Sequence, residues 1–235
     1  MISPVMITIL IATRNRHKVE EIRAILGTQF LYLTLNDFPG APKVEEDADT
    51  FAGNALKKAK TLAQWLAQAR QPGGNHLRQG FVLADDSGLE VDALDGAPGV
   101  HSARFASLDQ AENSSDVANN ARLLELIKAV PSEKRTARFR CVLAWVPVRD
   151  AGLENTSRVC CAPGPEHQTF DGACEGRIMD HPSGIGGFGY DPLFVPTGYS
   201  QSFAELGEEV KNRLSHRARA LEKLRVGLLA GAVKL

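Results

Sequence analysis

Apolar residues open the chain as a short β-branched run, Met6 to Ala12 (MITILIA). The run stops at the polar cluster Thr13-Arg14-Asn15-Arg16-His17-Lys18, after which Val19, Ile22, Ile25 and Leu26 recur at helical spacing. This pattern predicts strand, polar loop, helix. Phe30 to Leu35 reads as a second strand and Pro39 to Asp47 as a loop rich in proline and acid, so the chain starts as a βαβ unit. From Thr50 to about Gln68 an apolar stripe of Phe51, Ala55, Ala59, Leu62 and Leu66 predicts an amphipathic helix, with Asp49 as its N-cap and Gly73-Gly74 beyond its end. Gly80 to Ala84 is wholly apolar and ends abruptly in Asp85-Asp86-Ser87-Gly88, which predicts a short strand in mid-sheet with the acids at its carboxyl end.

Val117 to Ala129 predicts a helix that stops before Pro131. Ala137 to Val146 predicts a long strand, with Phe139, Cys141, Leu143 and Trp145 alternating. Arg158 to Cys161 and Gly172 to Ile178 are weaker strand candidates. Gly184 to Asp191 (GIGGFGYD) holds too many glycines for helix or strand and must be an ordered turn or loop. Ser215 is placed to cap a final helix that buries Leu221, Leu224, Leu228 and Leu229. No repeat or low-complexity linker interrupts the chain, and the expected whole is a single α/β domain over residues 1–235, a mixed sheet with helices against it.

Composition narrows the class. With 43% hydrophobic and 23% charged residues among 235, the chain is neither disordered nor fibrous. Lys plus Arg total 27 against 28 for Asp plus Glu, a formal net charge of -1, so neither a nucleic-acid duplex nor an anionic membrane is an expected partner. An anionic substrate must then be held by a local cluster. No apolar run approaches the ~20 residues of a bilayer span, and MISPVMITILIATRNRHK has no basic region or cleavage site ahead of its apolar stretch, so a cytoplasmic location is expected. Cys141, Cys160, Cys161 and Cys174 show no C-x-x-C spacing and are read as reduced thiols.

The chemistry concentrates in a few places. Asp85 and Asp86 invite a hard cation such as Mg²⁺, which takes carboxylates, waters and substrate phosphate, although an Asp-Asp pair alone also fits a turn. Glu45-Glu46 lie just before the helix on which Thr50, Asn54 and Lys58 form a polar stripe, predicted to face outward, with Lys58 either solvated or aimed at a phosphate. Asn15 and Lys18 sit where a strand enters a helix, a place suited to phosphate, yet neither G-x-x-x-x-G-K-[ST] nor G-x-G-x-x-G is present. Lys211, His216 and Arg217 cluster at the expected start of the last helix. Phe188 and Tyr190, embedded in glycines, form an aromatic platform for a heteroaromatic base, with Asp191 able to accept from the base edge.

Taken in order, Thr13 to Lys18, Glu45-Glu46 with Thr50 to Ala59 (TFAGNALKKA), Ala84 to Leu94 (ADDSGLEVDAL), Gly96 to Phe105 (GAPGVHSARF), Gly186 to Pro192 (GGFGYDP) and Ser215 to Leu221 (SHRARAL) resemble the Ham1/RdgB inosine triphosphate pyrophosphatase family. The match extends over nearly the whole chain. It implies an elongated α/β fold with a mixed twisted sheet flanked by helices, two lobes with an active-site cleft between them, and a homodimer. It also implies Mg²⁺-dependent hydrolysis of ITP, dITP and XTP to monophosphate and pyrophosphate, a cleaning of the nucleotide pool. On this resemblance Asp86 is the general base, Asp85 and one of Glu45 or Glu46 help Asp86 hold the metal, and Thr13, Asn15, Lys18 and Lys58 meet the phosphates. Ser87 is a further substrate contact, and Phe188, Gly189, Tyr190, Asp191, Lys211, His216 and Arg217 take the nucleotide and base end.

The chain departs from the family pattern at Arg14, at His101 in place of a commoner tyrosine, and in the segments around Arg70 to Gln79 and Ala162 to Asp171, each longer than a compact member needs by roughly ten residues. Two alternatives share some of these features. A Maf-like nucleotide pyrophosphatase has a comparable architecture but a Ser- and Arg-rich first loop, unlike TRNRHK. A non-catalytic nucleotide sensor would lack Asp86 or the acidic pair, and both are present.

Overall fold

A computed structural model describes residues 6–68, 80–107, 113–149 and 167–231. The expected βαβ start is there: β1 (Thr8–Ile11), α1 (Arg16–Leu26) and β2 (Leu31–Thr34) are followed by α2 (Phe51–Gln68) and β3 (Phe81–Val91). Both β2 and β3 pair in parallel with β1, on its two sides. The chain thus moves one way along the sheet and then returns past its start. A reversal of this kind is where α/β sheets hold ligands, at the carboxyl ends of the strands.

The remaining elements are α3 (Asp116–Ile127), β4 (Thr136–Pro147), β5 (Gln168–Ile178), β6 (Phe194–Pro196), α4 (Phe203–Leu214) and α5 (His216–Leu229), completing a six-stranded sheet in the order β2-β1-β3-β4-β5-β6. With β5 and β6 antiparallel, the sheet is mixed, as expected. The chain divides into two compact units, one of Met1–Asp86, Val142–Phe170 and Leu221–Leu235, the other of Ser87–Cys141 and Asp171–Ala220. In the first, Ile9, Leu10, Ile11, Ile22, Ala55, Leu62 and Leu83 are wholly buried and Phe81 stacks on Trp145 at 4.4 Å. In the second, a core cluster includes Leu89, Leu123, Ile127, Phe139, Tyr190, Phe194 and Phe203.

Several local expectations are corrected. The strand begun at Phe81 does not end at Ala84 but runs through both acids to Val91. Asp85 and Asp86 are both buried there, and Asp85 forms an ion pair with Lys18. Thr50 rather than Asp49 caps α2: its Oγ1 accepts from Gly53 N–H at 3.1 Å. A whole helix, α4, was not read from the sequence, because Gly207 interrupts it at φ 76°; Lys211 belongs to α4, not to the last helix. Ser215 does cap α5, accepting from Ala218 N–H at 3.1 Å, but only Leu221 and Leu224 of the expected stripe are buried and Leu229 is exposed. Cys141 and Cys174 are buried free thiols. The Arg158–Cys161 strand, Cys160, Cys161 and the Arg70–Gln79 segment lie outside the described residues, as do residues 162–166 of the Ala162–Asp171 segment. Among the described residues, no helix is long and apolar enough to cross a membrane.

Candidate active site

The first unit assembles its polar groups where the β1–β3 ladder stops. The last rung is Ala12 N–H to the Leu83 carbonyl at 2.8 Å. Thr13 Oγ1 then accepts from Asn15 N–H at 3.1 Å, and Asn15 Oδ1 accepts from Lys18 N–H at 3.3 Å. These two bonds turn the chain and cap α1, fixing the direction in which Lys18 leaves its first turn. Its ammonium forms an ion pair with the buried Asp85 carboxylate. From α2, Lys58 Nζ donates to the Asp85 carbonyl at 3.1 Å and pairs with Glu46 at 2.5 Å.

Of the stripe expected to face outward, Thr50 is exposed, whereas Asn54 and most of Lys58 turn inward. Asn54 is fully buried, and its Oδ1 accepts from Ala48 N–H at 2.9 Å, holding the 45–49 segment against α2. Gly53 permits that approach, since a Cβ there would lie 2.8 Å from the Ala48 Cβ. Of the acidic pair, Glu46 faces Lys58, whereas Glu45 is exposed.

Asp86 carries the chemical signature. Burial pushes its carboxyl up to about 6 and the Glu46 charge adds to the rise, while Lys18, Lys58 and the Asn54 amide hold it down. Two mutually repelling carboxylates, Glu46 and Asp86, are the donor type that a hard dication takes together with waters and phosphate oxygens. By donor type, Glu46 and Asp86 fit Mg²⁺, and the Asp85 carboxylate beside them forms an ion pair with Lys18. Among the described residues, no group of three His, Cys, Asp or Glu side chains forms a ready-made metal cage.

The second unit gathers the remaining candidates around the glycine-rich loop. Gly187 adopts φ 73°, and a Cβ on it would meet Asp191 Oδ2 at 2.2 Å. That space lets the Asp191 carboxylate accept from Phe188 N–H at 2.8 Å and from Lys211 Nζ at 2.7 Å. Lys211 Nζ lies 4.2 Å from the Phe188 ring centroid and the Arg217 guanidinium 5.8 Å from it. Arg217 also donates to Ser87 Oγ at 2.9 Å. Lys211 and Arg217 are 3% and 1% exposed, and cations are buried this deeply only where anions or specific partners hold them. His216 is buried with its ring stacked on Phe139 at 4.8 Å. Tyr190 corrects the expectation of a two-ring platform: it is part of the core, its hydroxyl donating to the Ser102 carbonyl at 2.9 Å, and Phe188 alone remains half-exposed.

The sequence model of the Ham1 family matches residues 9–226. The chain belongs to the Ham1 family. It is 47% identical over 221 residues to the dITP/XTP pyrophosphatase of Geobacter sulfurreducens, covering 94% of this chain and 96% of that one. It is 45% identical over 216 residues to the dITP/XTP pyrophosphatase of Desulforamulus reducens, covering 92% of each. Its fold is similar to that of a HAM1 protein from Coxiella burnetii, with a TM-score of 0.74 at 32% identity, over 96% of this chain and 100% of that one.

In this Ham1 chain the sequence reading placed α3 but overlooked its asparagines. Asn119 and Asn120 are both buried, and Asn119 shares the helix's apolar stripe with Leu123 and Ile127. Asparagine on a core-facing stripe was the available signal, because a buried amide must find partners. Asn119 accepts from Ala106 N–H at 2.9 Å and donates to the Ala103 carbonyl at 3.3 Å, and Asn120 donates to the Gly189 carbonyl at 3.0 Å.

Proposed function

We propose that this Ham1 protein is a Mg²⁺-dependent nucleoside-triphosphate pyrophosphatase that converts ITP, dITP and XTP to the monophosphate and pyrophosphate, and so cleans the nucleotide pool. The observation that carries this reading is Asp86, held near pKa 6 beside Glu46 and between two lysines. A carboxylate of that basicity is mostly ionised at neutral pH yet a better proton acceptor than an ordinary Asp. Asp86 takes a proton from the attacking water, whose oxygen bonds to the α-phosphorus. The bond from that phosphorus to the bridging oxygen breaks, and pyrophosphate leaves with the electron pair. Lys18 and Lys58 lie on either side of the acids and offset the negative charge that accumulates on the phosphates. Bound between Glu46 and Asp86, Mg²⁺ would supply Lewis-acid stabilisation of the same oxygens.

The base end of the substrate falls to Phe188, with Lys211, His216 and Arg217 as the cationic and donor groups around it. Two relatives named dITP/XTP pyrophosphatases, 47% and 45% identical, support the substrate class. A cytoplasmic location and a homodimer complete the proposal, by resemblance to the family. The test is a product assay with ITP, dITP, XTP, GTP and ATP, with and without Mg²⁺, that separates pyrophosphate from orthophosphate. Mg²⁺-dependent pyrophosphate release from ITP is expected; orthophosphate as the first product, or no turnover of any of the five, overturns the reading. Sedimentation of the purified protein checks the dimer.

A further inference from the structure

Phe188 stands in a segment without helix or strand, so something other than a backbone ladder must fix its ring. Its own N–H is held by Asp191. The next residue is held at both of its backbone polar groups by one turn of α3: Gly189 N–H donates to Asp116 Oδ2 at 2.7 Å, and the Gly189 carbonyl accepts from Asn120 Nδ2 at 3.0 Å. Asp116 and Asn120 are four residues apart and so share one helix face. Gly189 is glycine for its backbone, at φ 62°, and not for space, since a Cβ there would meet nothing within 4 Å. The helix that holds it is itself anchored, through Asn119 to Ala103 and Ala106, and the loop is tied to the same stretch by the Tyr190 hydroxyl on Ser102.

We propose that Asp116 and Asn120 are positioning residues that clamp the Gly189 backbone, one on each of its flanking peptides, and thereby set the Phe188 ring for stacking on the purine. The inference rests on the reading of Phe188 as the base contact. Such a clamp acts on the base and leaves the phosphate end alone, which separates it from a general structural role. Its chemistry also predicts which replacements succeed. Asp116→Asn keeps an oxygen acceptor for the Gly189 N–H, whereas Asp116→Ala removes it. Asn120→Asp keeps the shape but sets a carboxylate against a carbonyl.

The test measures binding of inosine monophosphate and of inorganic tripolyphosphate by calorimetry, alongside melting temperature and steady-state kinetics on ITP. Asp116→Ala and Asn120→Asp are expected to weaken inosine monophosphate about tenfold, the effect of losing one bond to a charged or buried group. Tripolyphosphate binding should stay unchanged, and the loss in kcat/KM should fall mainly in KM. Asp116→Asn should restore most of the affinity. Equal weakening of both ligands, or unchanged inosine monophosphate binding, overturns the clamp. A Phe188→Ala control separates the two levels. If it weakens inosine monophosphate while the clamp variants do not, only the clamp fails; if it has no effect, the reading of Phe188 fails and the clamp with it.

Discussion

Asp86 shows how a single residue trades stability for chemistry. Its pKa of about 6 in the folded protein exceeds the ~3.9 of an unfolded chain, so the folded state holds the proton more tightly. The sign follows: this group favours folding below pH 4, and the advantage is lost as pH rises through about 6, where the buried carboxylate is ionised beside Glu46. Ionising it costs on the order of 3 kcal/mol at neutral pH. Without metal, Asp86→Asn is therefore expected to melt several degrees above wild type at pH 7 and to lose that margin near pH 4, while kcat falls ~10²-fold or more. Thermal scans at the two pH values with a parallel turnover assay check this; a variant that is both less stable and fully active contradicts it. Lysines divide by burial. Lys58 pairs with the partly exposed Glu46, so its alanine variant should lose substrate affinity with a small stability change, whereas Lys18→Ala should lose affinity and also stability, because it strands the buried Asp85 carboxylate. Lys211 is itself buried against Asp191. Lys211→Ala strands that carboxylate and should cost about 3–5 kcal/mol of stability, measured by denaturant unfolding. Sequence singled out these lysines as candidates; which of them also hold the fold depends on burial, which residue order does not display.

At the scale of elements, what was legible followed periodicity and what was missed broke it. β1, α1, β2 and α2 have unmixed patterns bounded by polar turns, and they lie where expected. β3 was cut short because two acids in a strand look like its end, yet paired acids can be buried. α4 was overlooked because a glycine at φ 76° splits its pattern. The placement of α5 against β5 depends on a residue that carries no pattern at all. Gly172 lies so close to α5 that a Cβ would meet the His216 carbonyl at 2.1 Å and the Ala220 nitrogen at 2.7 Å. Backbone cannot yield as a flexible side chain can, so Gly172→Ala must shift the helix that carries His216 and Arg217. We expect it to cost about 1–3 kcal/mol of stability and to weaken inosine monophosphate binding by moving Arg217 off Ser87. A variant with wild-type affinity and melting temperature would mean that α5 adjusts without moving its first turn.

Across the whole molecule, a net charge of -1 called for local rather than global attraction of an anion. The chain answers with a cationic set in each compact unit, Lys18 and Lys58 in the first, Lys211 and Arg217 in the second. A polyphosphate asks only for charge, so selectivity must arise at the base. Hypoxanthine and xanthine carry a 6-oxo acceptor with an N1–H donor, whereas adenine carries a 6-amino donor and a bare N1. Arg217, His216 or backbone N–H groups near Phe188 that meet the 6-oxo group would face the amino group of adenine donor to donor. A donor buried without its acceptor costs ~1–3 kcal/mol, which sets ATP below ITP by roughly 5- to 150-fold in kcat/KM. Guanine keeps the 6-oxo group, so its rejection must come from the 2-amino substituent near Phe188, a separate step that the Tyr190 side chain, sealed in the core, does not assist. Side-by-side kcat/KM values for ITP, XTP, GTP and ATP distinguish the two steps. Equal values for ITP and ATP would remove the 6-oxo argument, whereas GTP equal to ITP would remove only the 2-amino step and leave the donors at the oxo edge in place.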